Sequence, residues 1–165
     1  MPIVDALLPE FDHEMTTTRK VLERVPEHRF DWKPHAKSFS LGALATHVAN
    51  LPAWGADALT QSEYDIAAGQ SPAAPPSKTV LMDTFDKNVT ATRSALTGRT
   101  DGELMEMWTL KRGDKAIFSM PRANVLRSFV LSHLIHHRGQ LSVYLRLLDV
   151  PVPSIYGPSA DEPSL

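Results

Sequence analysis

Apolar residues recur at steps of three or four in four long stretches of the chain, separated by Pro-, Gly- and Ser-rich breaks, and that period is the mark of amphipathic helices. In the first stretch Leu8, Phe11, Met15, Thr18, Leu22 and Val25 share one stripe, which Pro26 should end. Pro9 is placed in the first turn, where its missing N–H costs little; a helix begun earlier would kink there. Ser38 and Ser40 offer N-caps for a second helix from near Leu41, with Leu44, His47, Val48 and Leu51 on its inner face. Pro52 falls inside this pattern and should bend it, because it removes a backbone bond and crowds the carbonyl of Val48. Leu81, Phe85, Val89, Thr92 and Leu96 give a third stripe, capped by Ser77 and stopped at Gly98. The fourth runs from about Arg122 to Leu148, with Val130, Leu134, His137, Leu141, Tyr144 and Leu148 on a near-heptad seam that His133 borders.

Three segments break the helical period. GQSPAAPPS, from Gly69 to Ser77, reads as a loop. Between Met107 and Met120, Gly113 and Asp114 separate two short runs of apolar and aromatic residues, which suggests a small hairpin or extended excursion. The tail VPVPSIYGPSADEPSL is too rich in Pro and Ser to continue the last helix and is expected to pack as an irregular strap. The economical solution is an all-α fold, a four-helix bundle with a small hairpin-like excursion before the last helix. A chain of 165 residues is expected to form one domain spanning 1–165, burying about two-thirds of its unfolded surface.

Charge and composition narrow the function. The formal charge is -2, and the 17 Lys and Arg are spread along the chain with no basic stripe, so nucleic-acid binding is not expected. No cysteine is present, which removes disulfides and thiolate ligands; any metal must use nitrogen or oxygen, and any thiol must arrive with a cosubstrate. MPIVDALLPEFDHE lacks the basic and long apolar regions of a signal peptide, and no apolar run approaches the roughly 18 to 20 residues that cross a bilayer. A soluble, cytoplasmic protein is expected.

The candidate chemistry lies in SHLIHHRGQLSVYLRLL. His133 and His137 are spaced by one helical turn, which aims two imidazoles from one face, and His47 on the second helix can complete a three-histidine site where the helices meet. Three polar rings on faces that the periodicity buries need compensation, and a shared cation supplies it. Among seven histidines such a spacing also arises by chance, and each ring can instead bond to a neighbouring side chain. His136 points about 100 degrees away and is read as supporting or surface, while His13, His28 and His35 have no partner at ligand spacing. Leu134 stands where HExxH metalloproteases carry their glutamate base, which disfavours a peptidase of that kind. Gly139 is unusual in a helix centre, and close approach of a neighbouring backbone would explain it. Tyr144 projects on the side of His137 two turns later, where it either lines a pocket or fills the core, while Asn50 and Gln140 stand one turn beyond His47 and His137.

LPEFDHEMTTTRKVLERVP, FDWKPHAKSFSLGALATHVANLPAW, HLIHHRGQLSVYLRLLDVPVP and the closing IYGPSADE together resemble the DinB-like family of metal-dependent enzymes, related to bacterial thiol-dependent S-transferases. The resemblance covers nearly the whole chain. It implies a four-helix bundle whose metal, commonly nickel or zinc, is held by three histidines that map onto His47, His133 and His137. It further implies a homodimer and chemistry with a low-molecular-weight thiol. Despite its name, this family is unrelated to the lesion-bypass DNA polymerases. The expected function is a metal-dependent transferase or hydrolase acting on a small molecule, with Tyr144 as a hydrogen-bonding and Arg138 as an anion-attracting pocket residue. The alternatives are a non-catalytic metal-binding helical protein that binds a ligand or partner in a stress response, and a metal-free dimerisation module.

Overall fold

The computed structural model describes residues 1–66 and 72–163. The first stripe is helix α1, Ile3–Glu23, which buries Phe11, Met15, Thr18 and Leu22, with Leu7 rather than Leu8 as the buried residue at its start. Because α1 begins at Ile3, Pro9 lies inside it and not in the first turn.

The second stripe is cut in two. Helix α2, Leu41–Asn50, starts where Ser40 Oγ accepts from the Ala43 N–H at 3.2 Å. Pro52 does more than bend it: α2 ends at Asn50, and a separate helix α3, Ala53–Thr60, follows the intervening turn. Side chains of helix α4, Lys78–Leu96, take up carbonyls at this break. Asn88 Nδ2 donates to the Ala49 carbonyl at 3.0 Å and Thr92 Oγ1 to that of Pro52 at 2.5 Å. Gly55 brings α3 against α4, since a Cβ there would lie 2.4 Å from Thr92 Cγ2. Helix α4 is capped by Ser77, whose Oγ accepts from the Val80 N–H at 3.2 Å, and Gly98 turns the chain beyond its end with φ of +77°.

The all-α expectation is overturned by a three-stranded mixed sheet, so the fold is mixed α/β. Strand β1, Glu63–Asp65, pairs in parallel with β2, Met107–Arg112, which pairs antiparallel with β3, Lys115–Pro121, across the Gly113–Asp114 turn. The hairpin is more than an excursion because one face has a core of its own. Trp108 and Leu110 are buried with Ala58 of α3 and Val125, and Trp54, Tyr64, Phe118 and Phe129 pack around them. The sequence concealed β1 because Glu-Tyr-Asp offers one apolar residue between two acids, too little for a period to register.

Short helix α5, Asp101–Leu104, opens on a capping box made by Thr100 and Glu103. After β3, α6, Arg122–Asn124, runs through a π-helical stretch, Val125–Ser132, into α7, His133–Leu147. The buried residues record the change of period. Val125 and Leu126 are followed five positions later by Val130 and Leu131, whereas Leu134, Arg138, Leu141 and Leu145 step by three or four. Ser132 Oγ donates to the Arg127 carbonyl five residues back, at 2.9 Å. The main core joins α1, α2, α4 and α7 through Phe11, Leu22, Leu44, Phe85, Leu134 and Leu141.

Beyond α7 the tail is irregular through residue 163, as expected, and straps the core with Val152 and Ile155, while residues 164–165 lie outside the described residues. Asp161 and Glu162 hold it in place by accepting from the backbone N–H groups of Val152 and Ser154 at 2.8 and 2.9 Å. Of the segment read as a loop from Gly69, residues 69–71 lie outside the described residues and 72–77 form neither helix nor strand. No described helix is long and apolar enough to cross a membrane.

Candidate metal centre

Helices α2 and α7 pack together, and their facing sides carry His47 from the former and His133 and His137 from the latter. One nitrogen from each ring falls in a group whose members all lie within 4.8 Å of one another. His47 Nε2 and His133 Nε2 are 3.3 Å apart. Two nitrogens each about 2.0–2.1 Å from a tetrahedral zinc are separated by about 3.3 Å, so this edge of the site already has ligand spacing.

The hydrogen bonds on the outer side of the rings sharpen the chemistry. His137 Nδ1 is 2.8 Å from Gln140 Oε1, an acceptor, so Nδ1 carries the proton and Nε2 keeps its lone pair. Gln140 is fixed in turn, its Nε2 lying 3.1 Å from His136 Nε2, which gives His136 the supporting place expected of it. The backbone of Phe129, one helical turn back, favours the protonated form of the His133 ring and partly offsets the effect of burial. Asn50, the other suggested orienting group, instead accepts from Asn88 Nδ2 at 3.4 Å.

All three rings are held neutral. Burial pushes His47 down to about 4, helped by the neighbouring His137 and His133. Burial also lowers His133 and His137; His137 acts further on His133, and His136 on both. Neutral imidazoles are the form that ligates transition metals, so the site is ready at neutral pH without shedding protons. The same shifts set a pH dependence for the metal-free protein. In the unfolded chain these histidines take protons from about pH 6.5 downward, while the folded chain resists, so stability is complete above about pH 6.5 and falls as the pH drops toward 4. Urea midpoints of metal-free protein across that window should show the fall, and His47→Leu should make it shallower.

Beside the rings lies a cavity of about 390 Å³ lined by Ser38, Phe39, His137, Gln140, Val143 and Tyr144. Tyr144 is thus beside the triad, its hydroxyl donating to the Phe39 carbonyl at 3.3 Å and its ring edge-on to Trp32. Arg138 is elsewhere. Its guanidinium is buried against α1, 2.7 Å from Glu14 Oε2, 3.2 Å from Thr18 Oγ1 and 2.7 Å from the Tyr156 hydroxyl of the tail. Gly139 meets no neighbouring backbone; a Cβ there would find nothing within 4 Å, which corrects the close approach expected of it.

Two aromatic residues beside the triad escaped the sequence reading. Phe129 packs on His133 at 5.7 Å between ring centroids, and Phe39 lies 6.1 Å from His47. Spacing could have found Phe129, four residues before His133. Phe39 sits in the irregular segment ahead of α2, where no period applies.

The fold that brings the three imidazoles together is one that known proteins share. The sequence profile of the DinB family matches residues 2–164, and the chain belongs to that family. It is 29% identical over 164 residues to the uncharacterized protein YrdA of Bacillus subtilis (strain 168), covering 96% of this chain and 91% of that one. Its fold is shared by a DinB-like protein of Bacillus cereus ATCC 10987, with a TM-score of 0.70, 24% identity, and coverage of 92% of this chain and 97% of that one. A DinB-like protein of Bacillus subtilis, YjoA, aligns with a TM-score of 0.69 and 18% identity, over 91% of this chain and 96% of its own.

Proposed function

We propose that the protein is a metal-dependent enzyme that holds one divalent cation, nickel or zinc, through His47, His133 and His137. It acts on a small molecule as a transferase or hydrolase, with a low-molecular-weight thiol as cosubstrate. The observation that carries this reading is the convergence of three neutral imidazole nitrogens within 4.8 Å beside a cavity into which one of them, His137, opens. Among the described residues the group numbers three histidines, and three protein donors are the set that leaves coordination positions for a reactant, whereas structural sites are closed by a fourth. The donor type fits nickel and zinc, which imidazole suits.

When bound, such a cation supplies Lewis acidity, polarising an electrophile or easing deprotonation of a water or thiol. The chain contributes the rest. Gln140 orients His137, so its lone pair needs no reorganisation. Tyr144 places its hydroxyl at the cavity wall, where it can hydrogen-bond a seated molecule. Arg138 serves this scheme by clamping α7 rather than by attracting an anion. Cytoplasmic location and a homodimer belong to the same proposal and rest on the family resemblance.

The test is elemental analysis of untagged protein, followed by thiol-transfer and hydrolysis screens with bacillithiol, mycothiol and glutathione for wild type and His133→Ala. The expected result is activity that needs metal and is lost in the variant. Equal rates in both proteins would remove the metal mechanism.

A further inference from the structure

The cavity beside His137 is lined by Ser38, Phe39, Gln140, Val143 and Tyr144 together with that histidine, and no lysine, arginine, aspartate or glutamate is among them. Its polar groups are already engaged. Gln140 is spent on both faces, its oxygen on His137 and its nitrogen on His136, and the Tyr144 proton goes to the Phe39 carbonyl. What remains for a ligand is apolar surface from Phe39, Val143 and Tyr144, together with the Ser38 hydroxyl and the accepting side of the Tyr144 oxygen.

Charge decides what such a space accepts. Without the cation, a carboxylate or phosphate entering it would leave water with no basic side chain in the lining to receive it, and an ammonium would fare no better than the faces of two rings allow. An uncharged aromatic group loses nothing by that exchange and gains contact with both rings. At about 390 Å³ the cavity lies within the range of small-molecule sites and is large enough for a single ring with its substituent. Phe39 and Val143 remain 41% and 56% exposed, so each still has apolar surface to bury against a guest.

We infer that this cavity seats the uncharged, aromatic body of the substrate, with Phe39, Val143 and Tyr144 as its specificity-determining contacts. The inference rests on the proposed metal centre for the direction the reactive group faces, toward His137, whereas the seating of the ring does not need the cation. It divides the reactants: the neutral electrophile occupies the cavity, and a thiol bearing carboxylates approaches from outside it.

Benzyl alcohol, benzoate and benzylamine have the same ring and differ in charge, which makes them suitable probes. Amide chemical shifts of metal-free and zinc-loaded protein would be followed as each is added. Benzyl alcohol is expected to move the amides of Phe39, Val143 and Tyr144 in both forms, and in the metal-free form to have a dissociation constant at least about 10-fold below those of the two ions. Val143→Asp, at an exposed rim position, should weaken benzyl alcohol and strengthen benzylamine. Benzoate binding the metal-free protein as tightly as the alcohol, or shifts that avoid these three residues, would overturn the assignment. Benzyl alcohol seating normally in a protein that takes up no zinc would leave the assignment standing and remove the metal centre.

Discussion

Replacing Glu14 by alanine is expected to destabilise the protein by about 3–5 kcal/mol, because it leaves the Arg138 guanidinium, 1% exposed, without its counter-charge. Water cannot reach the stranded cation, and the acceptors left to it, the Glu14 backbone carbonyl, Thr18 Oγ1 and the Tyr156 hydroxyl, are all uncharged. Exposed pairs between α1 and α4, such as Arg93 with Asp12, should cost far less when broken, because solvent already screens them. Glu14→Gln, which keeps an acceptor, should fall between. A joint replacement, Glu14→Leu with Arg138→Met, should recover much of the loss, since an apolar pair avoids the desolvation penalty. Urea unfolding of the four proteins measures this. A loss below about 1 kcal/mol for Glu14→Ala would mean that solvent reaches the pair after all.

Alanine at His47, His133 or His137 is expected to weaken zinc binding by more than about 100-fold, since outer groups that only orient a ligand already contribute about 10–100-fold. Gln140→Ala should show that smaller loss, because the His137 ring would keep its position but not its fixed proton. His13→Ala, remote from the group, should bind as wild type does. Competition with a chromophoric chelator gives the affinities. Melting gives a second reading: with free zinc at about a thousand times its dissociation constant, wild type should gain about 4 kcal/mol, which chelator removes. Unchanged affinity in all three alanine variants would show that the metal sits elsewhere.

The helical part of the fold was legible because burial on one face leaves a period in the sequence. Phe11, Met15, Leu22, Leu44, Phe85 and Leu141 were all placed inside by spacing alone and are buried. The caps at Ser40 and Ser77 and the turn at Gly113 were legible for a local reason, since side-chain oxygens and positive φ act on the nearest backbone. The sheet was not legible as a sheet. Its register joins residues more than forty positions apart, Tyr64 with Leu110, and nothing near Tyr64 announces that partner. Nor could spacing separate the fates of His137 and Arg138. Their positions differ by one residue, and only the presence of Glu14 on α1 decides that the arginine faces inward.

The π-helical stretch before His133 sets a limit on how this chain can vary. A wide turn holds one residue more than an α turn, and that surplus decides how the part ahead of it, with Val125 against the sheet, is rotated relative to the histidines that follow. Deleting a single residue between Val125 and Ser132 would swing one half of the helix by about 100 degrees against the other, so either the sheet or the triad would lose its footing. Length there is under tighter constraint than side-chain identity: a buried Val or Leu of the stretch can give way to an apolar residue of similar volume, but the number of residues cannot change.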